Sequence, residues 1–433
     1  MKTASNKVIN GWAMYDWANS VFNLVIVSTF FPVYFLKVTP EHVSFLGGVF
    51  VNSALYNYTL SAAFLLVAIL SPILSSIADT RGNKKNFLRF FTLLGGICCS
   101  ALYFFNGDNL GFGVLCFMLA TIGFCGGLVF YNSYLPEIAS PEDRDRVSAR
   151  GFALGYVGSV ILQLIGFALV VLEPFGLTGA QPVLITFLLV GIWWIGFAQI
   201  TFKSLPPSKA TVETHYASAV TEGFAELRKV YGQVKVMPVL KRFLRSFFFY
   251  SMGVQTVMMA ATIFGSKLLQ LPDTNLIITI VVIQLVAIPG AWGMARLSGH
   301  FGNLRVLIGV ILLWIAVCVA AYRITTPLDF YILAVVVGLV MGGVQSLSRS
   351  TYAKLMPETT DTASFFSYYD VTEKLSIVLG MFSFGVIDEL TGSMRNSVLA
   401  LISFFAIGLI WLIAALLKQR QLQQPSLHSS EIA

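Results

Sequence analysis

Charge is scarce in this chain. Only 11% of its 433 residues are charged, less than half the roughly 25% of an average soluble domain. That excludes an ordinary soluble enzyme and a disordered chain, which needs polarity to stay solvated. Cysteine is sparse too. Cys98, Cys99, Cys116, Cys125 and Cys318 all lie inside apolar runs, with no CxxC and no His–Cys cluster. A secreted disulfide scaffold and a thiolate metal centre are excluded, and neither metal nor cofactor is expected. The four histidines, His42, His215, His300 and His428, fall in expected loops, linker or tail. No G-x-x-x-x-G-K-[ST] loop occurs, so ATP does not drive this chain through a P-loop. Without H-E-x-x-H or a Ser-His-Asp arrangement, nothing marks an enzyme.

Apolar residues are abundant: 56% of the chain, with a mean hydropathy of +0.78. One membrane span takes about 20 of them. Twelve apolar segments can be marked, at 10–36, 55–78, 87–105, 110–134, 149–172, 182–202, 243–267, 275–296, 304–323, 330–350, 364–388 and 397–417. The pattern predicts an all-α membrane protein of twelve transmembrane helices in two pseudo-symmetric six-helix bundles. Its parts are an N-terminus (1–9), a first bundle (10–202), a linker (203–242), a second bundle (243–417) and a polar, disordered tail (418–433). The first apolar run is too long for a signal-peptide core and lacks a cleavage site, so it reads as a span.

The net charge of +7 belongs to one side of the membrane. Of the 28 Lys and Arg, only Lys37, Lys267, Arg323 and Arg395 fall on the side opposite the N-terminus, and Lys374 lies inside a span. Arg349 and Lys354 count as a basic loop after the tenth span. Basic residues collect in cytoplasmic loops, so both termini are expected in the cytoplasm, and a nucleic-acid partner is not. In the linker, Val220, Phe224, Leu227, Tyr231 and Val234 recur at helical spacing, away from Glu222, Glu226, Arg228, Lys229 and Lys235. This predicts an amphipathic helix on the cytoplasmic face.

The halves repeat. Asp79-Thr-Arg-Gly82-Asn83-Lys84-Lys85 stands where Gly299-His-Phe-Gly302-Asn303-Leu-Arg305 stands in the second half. Gly126-Gly127 before Pro136-Glu137 parallels Gly342-Gly343 before Pro357-Glu358. Duplicated halves are common in secondary transporters. The loop at Asp79, Gly82, Lys84 and Lys85 resembles the loop 2–3 motif of the major facilitator superfamily, G-x-x-x-D-[RK]-x-G-[RK]-[RK]. Ser75, Thr80 and Asn83 depart from it. A cytoplasmic latch at this loop, with Gly302 and Arg305 as its second-half counterpart, is the expected role. Further pieces are Tyr15-Asp16-Trp17-Ala18-Asn19-Ser20, Tyr131-Asn132 through Pro136-Glu137, Gly151 to Gly158, Gly342 to Ser350, and Phe365-Phe366 through Lys374. Together they are similar to the vacuole-effluxer-like branch, the unknown major facilitator family, whose fungal members include autophagy-related vacuolar amino acid exporters. Ser364 and Ser367 replace the Glu and Gly of a frequent Glu-Phe-Phe-Gly pattern. The resemblance implies a transporter fold and suggests amino acids.

Ionisable groups within a span cost about 2.5–3.5 kcal/mol each, so they mark candidate sites. Asp16, Asn19 and Asn23 at i, i+3 and i+7 share one helical face. A carboxylate with amide neighbours can bind a substrate amine or carry a proton; the alternative is a structural hydrogen-bond cluster. Asp370, Glu373 and Lys374 form a second set, with an Asp370–Lys374 pair at i, i+4. Lys374 lies too deep to snorkel easily and can hold a substrate carboxylate; the alternative is a neutralised structural pair. A third set is Tyr15, Tyr131, Asn132, Tyr156, Gln163, Gln255, Gln284 and Gln345, each of which needs a partner in hydrocarbon.

The expected function is a monomeric secondary transporter, surrounded by membrane lipids, in a bacterial inner membrane. It moves a small polar metabolite, an amino acid or similar zwitterion, by proton-coupled efflux through alternating access. Efflux of amphiphilic compounds or lipids, and a non-transporting nutrient sensor, are the alternatives.

Overall fold

The computed structural model describes residues 2–207, 219–269, 273–391 and 394–423. The chain folds into long helices: α1 (Asn6–Val38), α2 (Asn52–Arg81), α3 (Lys84–Ala101), α4 (Leu110–Ser133), α5 (Arg144–Leu172) and α6 (Gln181–Ser204). The linker helix α7 (Ala219–Val236) follows. Then come α8 (Pro238–Leu269), α9 (Asp273–Phe301), α10 (Asn303–Arg323), α11 (Pro327–Leu355), α12 (Thr362–Thr391) and α13 (Met394–Gln423). Among the described residues, ten of them are long and apolar enough to cross a membrane: α1–α6, α9–α11 and α13. Helix is the expected form, because in hydrocarbon the backbone must satisfy its own hydrogen bonds. Below, α1–α6 are the N-half and α8–α13 the C-half.

Local chemistry sets the ends. Gly82 closes α2 in a left-handed conformation (φ 63°) that a side chain would resist. Thr326 caps α11 by accepting from the Asp329 N–H, with Pro327 at the first helical position. Between α1 and α2 the chain makes an unforeseen hairpin of β1 (His42–Phe45) and β2 (Gly48–Val51), pairing Phe45 with Gly48. Its turn needs positive φ at Leu46 and Gly47, the geometry that suits a two-residue hairpin.

Three expectations change. Helix α1 is α-helical over Asn6–Val21, π-helical over Phe22–Phe30, and α-helical again over Phe31–Val38. The wider π turn breaks the 3.6-residue spacing beyond Phe22, so Asn23 does not continue the Asp16–Asn19 stripe as a regular helix would. Helix α13 runs through Gln423, so residues 418–423 are helical rather than tail; residues 424–433 lie outside the described residues. The linker helix exists, with Val230 and Val234 buried, but Tyr231 points outward at 55% exposure. The side chains of Val220, Phe224 and Leu227 lie outside the described residues.

Aromatic rings fill the N-half. Phe31 stacks on Phe117 with centroids 4.2 Å apart, and Phe22 stacks on Trp194 at 5.6 Å. In the C-half Trp314 stacks on Phe405. The halves meet along two seams: α2 and α4 against α12, and α5 against α9 and α11. Helix α7 lies across the first seam, touching α2, α8 and α12, and its Lys229 pairs with Asp361 at 3.0 Å. The end carrying α7 is the linker end; the opposite end carries the β-hairpin.

Candidate functional site

The polar side chains concentrate where the halves touch. Asp16 on α1 is 4% exposed. Its Oδ2 accepts from the Tyr131 hydroxyl at 2.8 Å and from Nη1 and Nη2 of Arg349 at 3.2 Å each. Arg349 is the largest correction to the sequence reading. It is no loop residue: it lies inside α11 and is 3% exposed. Six residues separate it from the end of its helix, about 9 Å at 1.5 Å per residue. Its Nη1 also donates to Asn132 Oδ1 (3.2 Å), Nη2 to the Ser148 carbonyl (2.8 Å) and Nε to Ser148 Oγ (3.0 Å). The Ser148 hydroxyl in turn donates to the Ser346 carbonyl, again across the seam. Gly151 makes this approach possible: a Cβ there would run into Asp16, Tyr131 and Arg349.

Two clusters nearer the linker end flank the pair. In the first, Asp79 receives the backbone N–H of Ala363 (3.1 Å), and the N–H and hydroxyl of Ser364 (2.8 Å each). A carboxylate is thereby set against the first turn of α12, where free N–H groups and the helix dipole favour negative charge. Ser364, at the position where the family pattern has Glu, supplies one of those donors. Lys84, buried, joins Asp79 at 3.0 Å to Glu137 at 2.6 Å and donates to Thr362 Oγ1 at 2.7 Å. Lys85 instead donates to the Leu205 carbonyl.

The second cluster is built the other way round. Here the acid sits on α5: Asp145 accepts from Lys354 Nζ (2.5 Å), Ser298 Oγ (2.7 Å) and Asn303 Nδ2 (2.6 Å). Gly302 (φ 84°) makes the turn that delivers Asn303. Arg305 stays exposed and donates to the Phe301 carbonyl of its own neighbourhood; among the described residues it takes no part in the cluster. Toward the hairpin end the halves are joined by Tyr156 to Gln345 Oε1 (2.6 Å), and by a chain from Gln284 through Gln163 to Thr29.

The α12 set forms as expected. Lys374 Nζ lies 3.1 Å from Asp370 Oδ1 and 3.3 Å from Glu373 Oε2. Asp370 Oδ2 is buried without a hydrogen-bond partner among the described residues. Lys374 walls a cavity of about 170 Å³ with Ser61, Phe64 and Leu65 of α2. Asn19 is buried with neither amide atom partnered among the described residues, Asn23 is half-buried in the π segment, and Gln255 is half-buried on α8.

The profile of the vacuole effluxer Atg22-like family matches residues 4–424. The chain belongs to that family. It is 32% identical to YxiO of Bacillus subtilis, itself an uncharacterized MFS-type transporter, over 93% of each chain. It is 26% identical to autophagy-related protein 22 of Yarrowia lipolytica, over 84% of this chain and 76% of that one. Among solved structures, the human organic anion transporter MFSD10 (TETRAN) superposes with a TM-score of 0.74 at 11% identity, covering 94% of this chain and 99% of that one. An outward-facing bacterial homologue of the iron transporter ferroportin gives 0.69 at 11%, covering 94% and 98%. At such identities the likeness is one of fold. This effluxer-family chain is therefore a multi-pass membrane protein with the major facilitator architecture.

Sequence reasoning found Asp16, Tyr131, Asn132 and Asp79 but missed Arg349, Ser148, Asp145 and Lys354. The run Gln345-Ser-Leu-Ser-Arg349-Ser350 held the signal. Ser346, Leu347, Ser348, Arg349 and Ser350 are all buried, and Gln345 is half-buried.

Proposed function

We propose that this chain is a secondary active transporter that moves a small zwitterionic metabolite, such as an amino acid, by alternating access with proton coupling, in the direction of efflux. In this reading twelve spans form two six-helix bundles, both termini are cytoplasmic, and the protein works as a monomer in a bacterial inner membrane. The linker end is then the cytoplasmic end. The observation that supports it most is the Asp16–Arg349 ion pair: its members come from opposite halves, so the pair must part whenever the halves rock open. A buried carboxylate facing a guanidinium is also a natural proton site. Protonation removes the attraction and releases the gate.

The α12 set supplies a second use for protons. Lys374 is held by two acids, so its ammonium is not free to take a substrate carboxylate. A proton on Asp370 or Glu373 would release one of those bonds and expose the ammonium, tying proton uptake to carboxylate binding. The test uses purified protein in vesicles loaded with amino acids and small organic acids. A pH gradient is imposed and released compounds are read by mass spectrometry. Selective release, lost in Lys374→Ala and in the triple variant Asp16→Asn, Asp370→Asn, Glu373→Gln, is the expected result. Full pH-driven release by the triple variant would refute proton coupling through these groups.

A further inference from the structure

The surroundings of Arg349 are unusual in their completeness. A guanidinium carries five N–H donors in a fixed plane. All five are used here: Nε on Ser148 Oγ, Nη1 on Asp16 and Asn132, and Nη2 on Asp16 and the Ser148 carbonyl. The same group lies against three rings, 4.2 Å from the Phe152 centroid, 4.9 Å from Trp12 and 5.4 Å from Tyr131. Arg349 itself belongs to the C-half, yet each of these partners belongs to α1, α4 or α5 of the N-half.

Trp12, Tyr131 and Asp16 are also held in place without it. Trp12 Nε1 donates to the Tyr131 carbonyl at 3.0 Å, the Trp12 and Tyr131 rings stack at 4.4 Å, and the Tyr131 hydroxyl fixes Asp16. Gly151 leaves the space free of a side chain. We infer that the N-half carries a preformed guanidinium receptor, occupied by Arg349 in this state and open to small guanidinium compounds from the linker end when the halves part. This rests on reading the Asp16–Arg349 pair as a separable gate.

The chemistry selects the ligand class. An ammonium presents three tetrahedral donors and cannot match a planar set of five. Aromatic faces and a single carboxylate favour a cation that is flat, delocalised and weakly hydrated. A bound guanidinium and a proton both neutralise Asp16, so the two compete. A bound ligand also bars Arg349 from returning, which keeps the gate open.

The test measures equilibrium binding of radiolabelled agmatine to the purified full chain, with L-arginine and putrescine as competitors. Emptying the receptor with Arg349→Ala is expected to tighten agmatine binding at least tenfold. L-arginine should compete, and putrescine, which has only ammonium groups, should not. Adding Trp12→Leu to Arg349→Ala should abolish the gain. If the alanine variant does not fold, Arg349→Gln replaces it, and agmatine should raise its melting temperature by several degrees more than that of the wild type. No gain in a folded Arg349 variant, or equal competition by putrescine, overturns the receptor. Binding to the Arg349 variants requires no transport, so a failed vesicle assay and a failed binding assay are separate results.

Discussion

Arg349→Ala should open the linker end. In the closed state Asp16 is 4% exposed and its only cationic partner among the described residues is Arg349. Removing one member of a buried pair costs about 3–5 kcal/mol, because the other charge is left buried and uncompensated. The cost falls on the closed state alone: once the halves part, water reaches Asp16. At about 1.4 kcal/mol per tenfold change, the closed-to-open equilibrium should shift by about two to three and a half decades. Ala353→Cys, in a chain whose native cysteines are replaced, provides the assay. Ala353 is fully buried, and its carbonyl accepts from Arg144 across the seam. A membrane-impermeant thiol reagent applied from the linker end should label Cys at this position at least tenfold faster in Arg349→Ala, the gain being capped when the open state dominates. Removing both charges, with Asp16→Ala added, should slow labelling again, since no lone charge remains. Unchanged labelling in Arg349→Ala, or a double variant faster than the single, would refute the argument.

Gly151→Ala places a methyl group where Asp16, Tyr131 and Arg349 converge; the same labelling assay should show an opened gate. Gly196→Ala, where a Cβ meets nothing within 4 Å, should leave labelling and melting unchanged. Asp79→Asn keeps the shape but removes the charge from the first turn of α12 and leaves Glu137 as the one acid paired with Lys84 among the described residues. It should lower the detergent melting temperature, with a loss on the order of 1–2 kcal/mol. Gln163→Leu strands the Gln284 amide and should cost about 1–3 kcal/mol; the Gln163→Leu, Gln284→Leu pair, compared by thermal unfolding, should cost less than the single change.

Much of the architecture was legible because hydrophobic runs are long-range averages that a few residues do not disturb. The helical linker was legible in the same way, from spacing. The hairpin at 42–51 was not, because its ten residues form neither a span-length run nor an Asn-Gly turn; the positive φ at Leu46 is decided by pairing that only the fold supplies. The π segment of α1 was equally hidden: Phe22–Phe30 reads as an ordinary apolar stretch. The site was half visible. Asp16 and Lys374 stood out as charges deep in apolar sequence. Arg349 did not, because an arginine near the end of a span normally reaches water, and only the opposing Asp16, 333 residues earlier in the chain, gives it a reason to stay inside.

The charges of α12 bear on how the chain is made. Asp370, Glu373, Lys374, Asp388 and Glu389 place five charges in this 30-residue helix. The helix after it spans Arg395–Gln423 with a mean hydropathy of 2.7 in its best window, the highest of the ten. During synthesis α12 would then enter the bilayer as half of a helical hairpin with α13, its Lys374–Asp370 pair already closed to reduce the charge carried in. A chain ending before residue 394 and released from the ribosome should leave α12 outside the lipid, and the full chain should bring it in, which glycosylation-site mapping can read.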